Sequence, residues 1–229
     1  MKKAVLILAG GSGTRAGGDK PKQFQPLAGK PMILHSIEAF ISEDADTRIV
    51  LVVHPDWIDD LHQMLNDSPL HSCAFTITAG GSSRLESVSR GLAALQGMAE
   101  DTLVAVHDAA RPMVSPELIA RGWACAAEAD GAVPVVPLSD SIRHRTSDTE
   151  SEAADRADFC LVQTPQVFPL PLLREAYTAA DFADPALTDD ASVVERFGRK
   201  VSLYPGDPAN MKVTNHIDFA IAEALIANG

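Results

Sequence analysis

"LAGGSGTRAGGDKPKQF", residues Leu8–Phe24, decides how this chain is read. Five glycines are interleaved with Arg15, Lys20 and Lys22, and the stretch follows directly on the apolar run "AVLILA" of residues 4–9. A short apolar run closed by turn residues is a buried strand. Glycines leaving such a strand let backbone N–H groups turn inward as a nest for an anion. Arg15 then offers a planar fork and Lys22 a point charge to phosphate oxygens. The ordinary alternative is a surface turn with solvated lysines, and a cation cluster placed straight after a buried strand argues against it. The start "MKKAVLILAGGSG" has two lysines and an apolar run, as a secretory leader does. Its apolar part is short and meets a glycine loop instead of a cleavage site, so a buried first strand is expected.

Three kinds of phosphate loop compete here. A Walker A loop ends in Gly-Lys-Ser/Thr; the only Gly-Lys is Gly29-Lys30, and Pro31 follows it. A dinucleotide fingerprint fits Gly11, Gly13 and Ala16 in spacing. It also needs a helix opening inside the loop and an acid ending the second strand. Gly17, Gly18 and Pro21 oppose the helix, and the second strand ends in His54-Pro55. That leaves a nicotinamide oxidoreductase with only a loose glycine match. The third kind wraps a triphosphate, and the cations of this loop suit it.

Further along, "RIVLVV" (48–53), "CAFTIT" (73–78), "TLVAVH" (102–107) and "GAVPVVP" (131–137) repeat the pattern of buried strands. Helical segments separate them. Residues 31–43 carry Ile33, Ile37, Phe40 and Ile41 on one side, with Pro31 at a first helical position. Pro55–Asn66, Arg84–Met98 and Pro116–Ala129 read the same way. Alternation of this kind predicts an α/β fold with a mostly parallel twisted sheet flanked by helices. Ligands of such sheets sit beyond the carboxyl ends of the strands. The first strand brings the glycine loop to that edge, and the fourth brings "HDAARP" (107–112).

The 229 residues suit a single domain, 1–229. Apolar residues make up 46% and charged residues 22%, so a core forms without staples. No apolar run is long enough to span a membrane. The net charge of −12 argues against nucleic acid as a partner. Cys73, Cys125 and Cys160 lack metal-like spacing and are odd in number, which predicts a reducing, cytoplasmic setting. Residues 139–158, "SDSIRHRTSDTESEAADRAD", break the regular pattern. A disordered insertion, a lid and a β-ribbon arm are the three readings, and composition favours disorder. "LVQTPQVF" (161–168), a helix near Pro171–Ala180, "TDDASVVERFG" (188–198), a strand "KVSLYPG" (200–206) and a last helix through Ile217–Ala227 complete the chain.

"LAGGSGTR…PKQF" resembles the signature of nucleotidyltransferases that make nucleotide-activated sugars and polyols. "VHDAARP" (106–112), "DSI" (140–142), "DR" (155–156), "QTPQVF" (163–168), "TDDAS" (188–192) and "NMKVT" (210–214) follow in the order and spacing of the 2-C-methyl-D-erythritol 4-phosphate cytidylyltransferase family. The resemblance covers almost the whole chain. It implies a Rossmann-like nucleotidyltransferase fold with a protruding β-arm at 139–158, a homodimer built through that arm, and small-molecule substrates. The implied reaction joins CTP to the polyol phosphate and releases pyrophosphate. A phosphate oxygen is already nucleophilic near neutral pH, so catalysis is positioning and charge stabilisation.

The resemblance implies catalytic charges at Arg15, Lys22 and Lys212, and Mg2+ or another divalent cation on Asp108. Magnesium favours one or two carboxylates with phosphate oxygens, whereas Asp108 taken alone reads as a turn or capping aspartate. Gly10, Gly11 and Gly13 are assigned to the triphosphate loop; Gly80, Gly81 and Ser87, with Arg84 nearby, to the cytosine. Arg111 is expected to orient Asp108 or approach the second phosphate, and His107 to be structural. Ser141, Arg156, Thr164 and Thr188 are nominated for the polyol phosphate, with Arg156 as a clamp that completes the neighbouring subunit's site. Ser141 stands where threonine is usual, and Ala209 where an acid often precedes the asparagine. Ribitol 5-phosphate is the alternative acceptor, and a non-catalytic nucleotide-binding module a further alternative.

Overall fold

The computed structural model describes residues 1–11 and 20–228. Strand β1 (Lys3–Ala9) comes first, then a two-residue ladder of β2 (Pro26–Leu27) with β3 (Lys30–Pro31), and helix α1 (Met32–Glu43). Next are β4 (Arg48–Val53), α2 (Ile58–Asn66), β5 (Phe75–Ala79), α3 (Arg84–Ala93), β6 (Leu103–Asp108), α4 (Pro116–Ala126) and β7 (Ala132–Pro137). A hairpin of β8 (Ile142–Arg145) and β9 (Ser151–Ala154) precedes β10 (Cys160–Val162), β11 (Gln166–Pro169), α5 (Leu170–Ala179), α6 (Asp190–Arg196), β12 (Ser202–Pro205) and α7 (His216–Asn228).

β5, β4, β1 and β6 lie side by side in that order, all parallel. β11 runs antiparallel between β6 and β7, β10 continues antiparallel along β7, and β12 pairs parallel with β7. Consecutive residues of β1 feed opposite faces. Val5, Ile7 and Ala9 enter a core with Ile37 and Phe40 of α1, Leu61 of α2 and Trp123 of α4. Ala4 and Leu6 enter a second core with Val88 of α3, Leu173 of α5 and Val193 of α6. Burial on both faces is why the strand is an unbroken apolar run. α3 lies so close to the sheet that a Cβ on Gly91 would meet the methyls of Leu6 and Val52 at 3.0 Å.

From β1 the chain goes to β4 on one side, and the sheet continues to β6 on the other. This reversal opens a crevice at the strands' carboxyl ends.

Three local expectations shift. Pro31 is not the first helical residue; at φ −52° and ψ 134° it is extended, pairs with Pro26, and α1 begins at Met32. α3 ends at Ala93, short of Met98, because tighter turns follow and Gly97 takes a left-handed φ of 87°. α4 ends at Ala126, three residues before Ala129. Residues 139–158 form a ribbon, although composition favoured disorder. Ile142 pairs with Ala154 and Arg145 with Ser151. Polar side chains brace the ribbon: Arg143 donates to the Ser151 hydroxyl and carbonyl, each at 2.7 Å. Among the described residues no helix is long and apolar enough to cross a membrane.

Candidate active site

A cleft of about 580 Å3 lies at the carboxyl ends of β1 and β6. Gly10, Gly11, Lys22, Gly81, Arg84, Ser87, Asp108 and Lys212 line it, so eight of the predicted residues meet there. Gly13 and Arg15 lie outside the described residues. Gln23, His54, Ser82, Ser83 and Thr214 also face the cleft and were not singled out from sequence.

Asp108 ends β6 and is about 9% exposed. Lys212 Nζ donates to its Oδ2 at 2.6 Å, and Arg84 Nε stands 3.5 Å from its Oδ1. Arg84 NH2 reaches past it to Oδ2 of the fully buried Asp190, at 2.6 Å. Burial of Asp108 disfavours its charge, but Arg84 and Lys212 outweigh this and hold the carboxyl well below the usual range. Burial likewise works against Arg84, yet Asp190 and Asp108 hold it firmly charged. Lys212, Asp108 and Arg84 thus alternate in charge along the floor of the cleft, with Asp190 buried behind it.

The loops carrying these groups are fastened by buried polar contacts. Gln23 Nε2 donates to Ala9 O at 2.7 Å and to Gly11 O at 2.9 Å, pinning the start of the glycine loop. Lys22 Nζ donates to Val213 O at 2.7 Å. Thr164 Oγ1 accepts the Asp108 backbone N–H at 3.1 Å and lies 3.2 Å from His107 Nδ1. The other ring nitrogen of His107 faces the Arg111 carbonyl at 3.2 Å. A carbonyl can only accept, so Nε2 carries the proton and Nδ1 takes the threonine's. Burial lowers the ring's pKa from 6.5 to about 4, which keeps it neutral and structural.

Arg111 behaves differently from expectation. It donates to the carbonyls of Asn210 at 2.9 Å and Val162 at 3.2 Å, not to Asp108. It therefore ties β10 to the loop bearing Lys212. Asn210 Nδ2 donates to Thr164 O at 2.8 Å, and Gln163 Nε2 to Asp207 O at 2.7 Å, which complete that brace.

The loop after β5 forms the opposite wall. Ser83 caps α3 by accepting the Glu86 N–H. Ser82 offers Glu86 its N–H and hydroxyl, each at 2.7 Å, and Arg90 NH1 donates to Gly80 O at 2.7 Å. These bonds from Ser82, with Arg90 on the other carboxylate oxygen, bring the Glu86 pKa down to about 2. The Ser87 hydroxyl accepts Gly81 N–H at 3.0 Å and donates to Ser83 O at 2.8 Å. It keeps one acceptor site for a ligand. Gly80 lies behind this wall; a Cβ there would approach the Ser87 hydroxyl to 3.1 Å.

The family model of 2-C-methyl-D-erythritol 4-phosphate cytidylyltransferase matches residues 3–228. The chain belongs to that family. The Phocaeicola vulgatus protein of this name is 43% identical over 229 residues, covering 99% of this chain and all of the relative. The Ralstonia nicotianae protein is 40% identical over 245 residues, with 99% and 92% covered. The crystal structure of 2-C-methyl-D-erythritol 4-phosphate cytidylyltransferase from Thermus thermophilus superposes with a TM-score of 0.77 at 32% identity, covering 99% of this chain and all of that one. A crystal structure of 4-diphosphocytidyl-2C-methyl-D-erythritol synthase gives 0.80 at 30% identity, with 98% of each chain covered. The fold is accordingly the α/β nucleotidyltransferase fold.

The residues nominated for the polyol phosphate do not all join the cleft. Thr164 is buried beneath Asp108, with its hydroxyl engaged as described. Ser141, Arg156 and Thr188 are exposed and do not line it. Arg156 NH1 donates to Ser139 O at the base of the ribbon. Among the described residues no three His, Cys, Asp or Glu side chains cluster as a metal site.

Proposed function

We propose that this chain transfers CMP from CTP to 2-C-methyl-D-erythritol 4-phosphate and releases pyrophosphate. The observation that carries the reading is the floor of the cleft: Asp108 held between Lys212 and Arg84, with Lys22, Gly10 and Gly11 lining the same cleft. A phosphate oxygen of the acceptor attacks the α-phosphorus, and the bond from that phosphorus to the bridging oxygen breaks as pyrophosphate leaves. No general base is needed, because the nucleophile is already an anion. Lys212 turns from Asp108 to the charge growing around the α-phosphate. Lys22, with Arg15 of the same loop, neutralises the phosphates that leave. Gly81 and the remaining acceptor site of Ser87 receive the cytosine edge.

Among the described residues, Asp108 is the one carboxylate of the cleft wall. A single hard oxygen ligand beside a polyphosphate suits magnesium, which keeps its other positions for phosphate oxygens and water. When bound, the ion supplies charge neutralisation on the triphosphate. Release of pyrophosphate from CTP, measured side by side with 2-C-methyl-D-erythritol 4-phosphate and ribitol 5-phosphate, tests the assignment. Turnover only with ribitol 5-phosphate overturns the acceptor; no turnover with either overturns the reaction.

We further infer one domain over residues 1–229, whose arm pairs two copies into a homodimer in the cytoplasm. Phe159, Leu161 and Val162, at the arm's return to the sheet, are 52%, 54% and 43% exposed, an apolar patch that a second copy would cover. Arg156, Ser141 and Thr188 then serve the partner's cleft. The cysteines Cys73, Cys125 and Cys160 are unpaired, in keeping with a reducing compartment.

A further inference from the structure

We propose that Asp190, backed by Tyr177, is a positioning residue that holds Arg84 off Asp108 and so keeps that carboxylate open to a cation carried by the triphosphate. The inference rests on the divalent-cation reading above. Asp190 opens α6, is 0% exposed and lies outside the cleft lining. Its Oδ2 takes Arg84 NH2 and its Oδ1 takes the Tyr177 hydroxyl, each at 2.6 Å. Both carboxylate oxygens are therefore engaged, and one end of the guanidinium is anchored at Asp190.

The consequence shows at the other end of Arg84. Left to itself, a guanidinium closes on a carboxylate through two parallel N–H···O bonds of about 2.8 Å. Here Nε remains 3.5 Å from Asp108 Oδ1, and NH1 is buried without a partner among the described residues. Arg84 thus lends Asp108 its charge without closing on it. Lys212 already occupies Oδ2. Were Arg84 to close on Oδ1, both oxygens of Asp108 would be held by protein cations before the nucleotide arrives, and after Lys212 turns to the phosphates the guanidinium would still compete with a divalent cation for the carboxylate. Removing the charge of Asp190 leaves Asp108 as the carboxylate paired with Arg84 among the described residues, and closure follows.

The test is Mn2+ binding in the presence of saturating CTP, followed by the electron paramagnetic resonance of the free ion. Asp190→Asn is expected to weaken Mn2+ binding about tenfold, the scale seen when a partner behind a metal ligand is lost, and to leave KM for the polyol phosphate unchanged. In an Arg84→Met background the same substitution is expected to have no effect, since no guanidinium remains to close. Unchanged Mn2+ affinity in Asp190→Asn overturns the proposal. An equal loss in both backgrounds also overturns it, because Asp190 then acts on the fold at large. Tyr177→Phe alone leaves every charge in place and covers the case in which Asp190→Asn does not fold. It is expected to weaken Mn2+ binding in the same direction, and no change overturns the proposal. Asp108→Asn separates the two levels: if it binds Mn2+ as the parent does, the cation reading itself fails, and this inference with it.

Discussion

His107 sets a measurable pH dependence of stability. The ring is fully buried, stacks edge-to-face on Phe40 at 5.5 Å, and is bonded at both nitrogens as a neutral imidazole. Burial lowers its pKa from 6.5 to about 4. The unfolded chain takes up a proton near pH 6.5, whereas the folded chain refuses it until about pH 4. The contribution is therefore fully present above pH 6.5 and is lost as the pH falls towards 4. A gap of about two and a half pH units, at about 1.4 kcal/mol each, amounts to about 3 kcal/mol in all. About 2 kcal/mol of it is gone at pH 5. Replacing the ring by a side chain that cannot titrate, His107→Gln, removes this dependence. Urea unfolding at fixed chain concentration, followed by tryptophan fluorescence at pH 7.5 and 5, measures it. The variant starts about 1 kcal/mol less stable, for one imperfect hydrogen bond. It then loses about 2 kcal/mol less than the parent on acidification. Parallel losses in the two proteins would refute the argument.

Lys212→Ala removes a preorganised cation and lowers kcat by about 10²–10³, equivalent to about 2.7–4 kcal/mol of barrier; steady-state kinetics with CTP and the polyol phosphate check it, and a change below threefold would exclude the role. Gly81→Ala sets a methyl 2.3 Å from Glu86 Cγ, so the wall formed by residues 80–83 must move. KM for CTP is expected to rise about tenfold for about 1.4 kcal/mol of lost complementarity, and Gly81→Ala/Glu86→Ala is expected to recover part of it. Leu161→Asp places a charge in the apolar patch by the arm; sedimentation is expected to show a dimer for the parent and monomers for the variant, and a monomeric parent would refute the proposed pairing.

β1, β4 and β6 were legible because each buries apolar residues on both faces, a pattern no surface helix shares. The cleft was legible in part. Lys22, Asp108 and Lys212 sit in motifs whose order follows the family, and their chemistry suits a polyphosphate. What the sequence hid is long-range pairing. Asp190 lay inside the quoted "TDDAS" motif, yet its partner Arg84 is 106 positions away, and only folding shows that they touch. Asn210 and Thr164 meet across 46 positions in the same way. The hydrogen bonds of Arg111 were hidden for a related reason: its neighbour in sequence is Asp108, but its N–H groups donate to two backbone carbonyls distant in the linear chain. The ribbon was hidden by composition, since its strands hold together through cross-strand polar contacts and bury little apolar surface.

The bond from Lys22 to the Val213 carbonyl spans 191 positions, and β12, the last strand, already ends at Pro205. A chain cut after Pro205 would thus keep every described strand and still lose Lys212, together with the carbonyl that Lys22 holds.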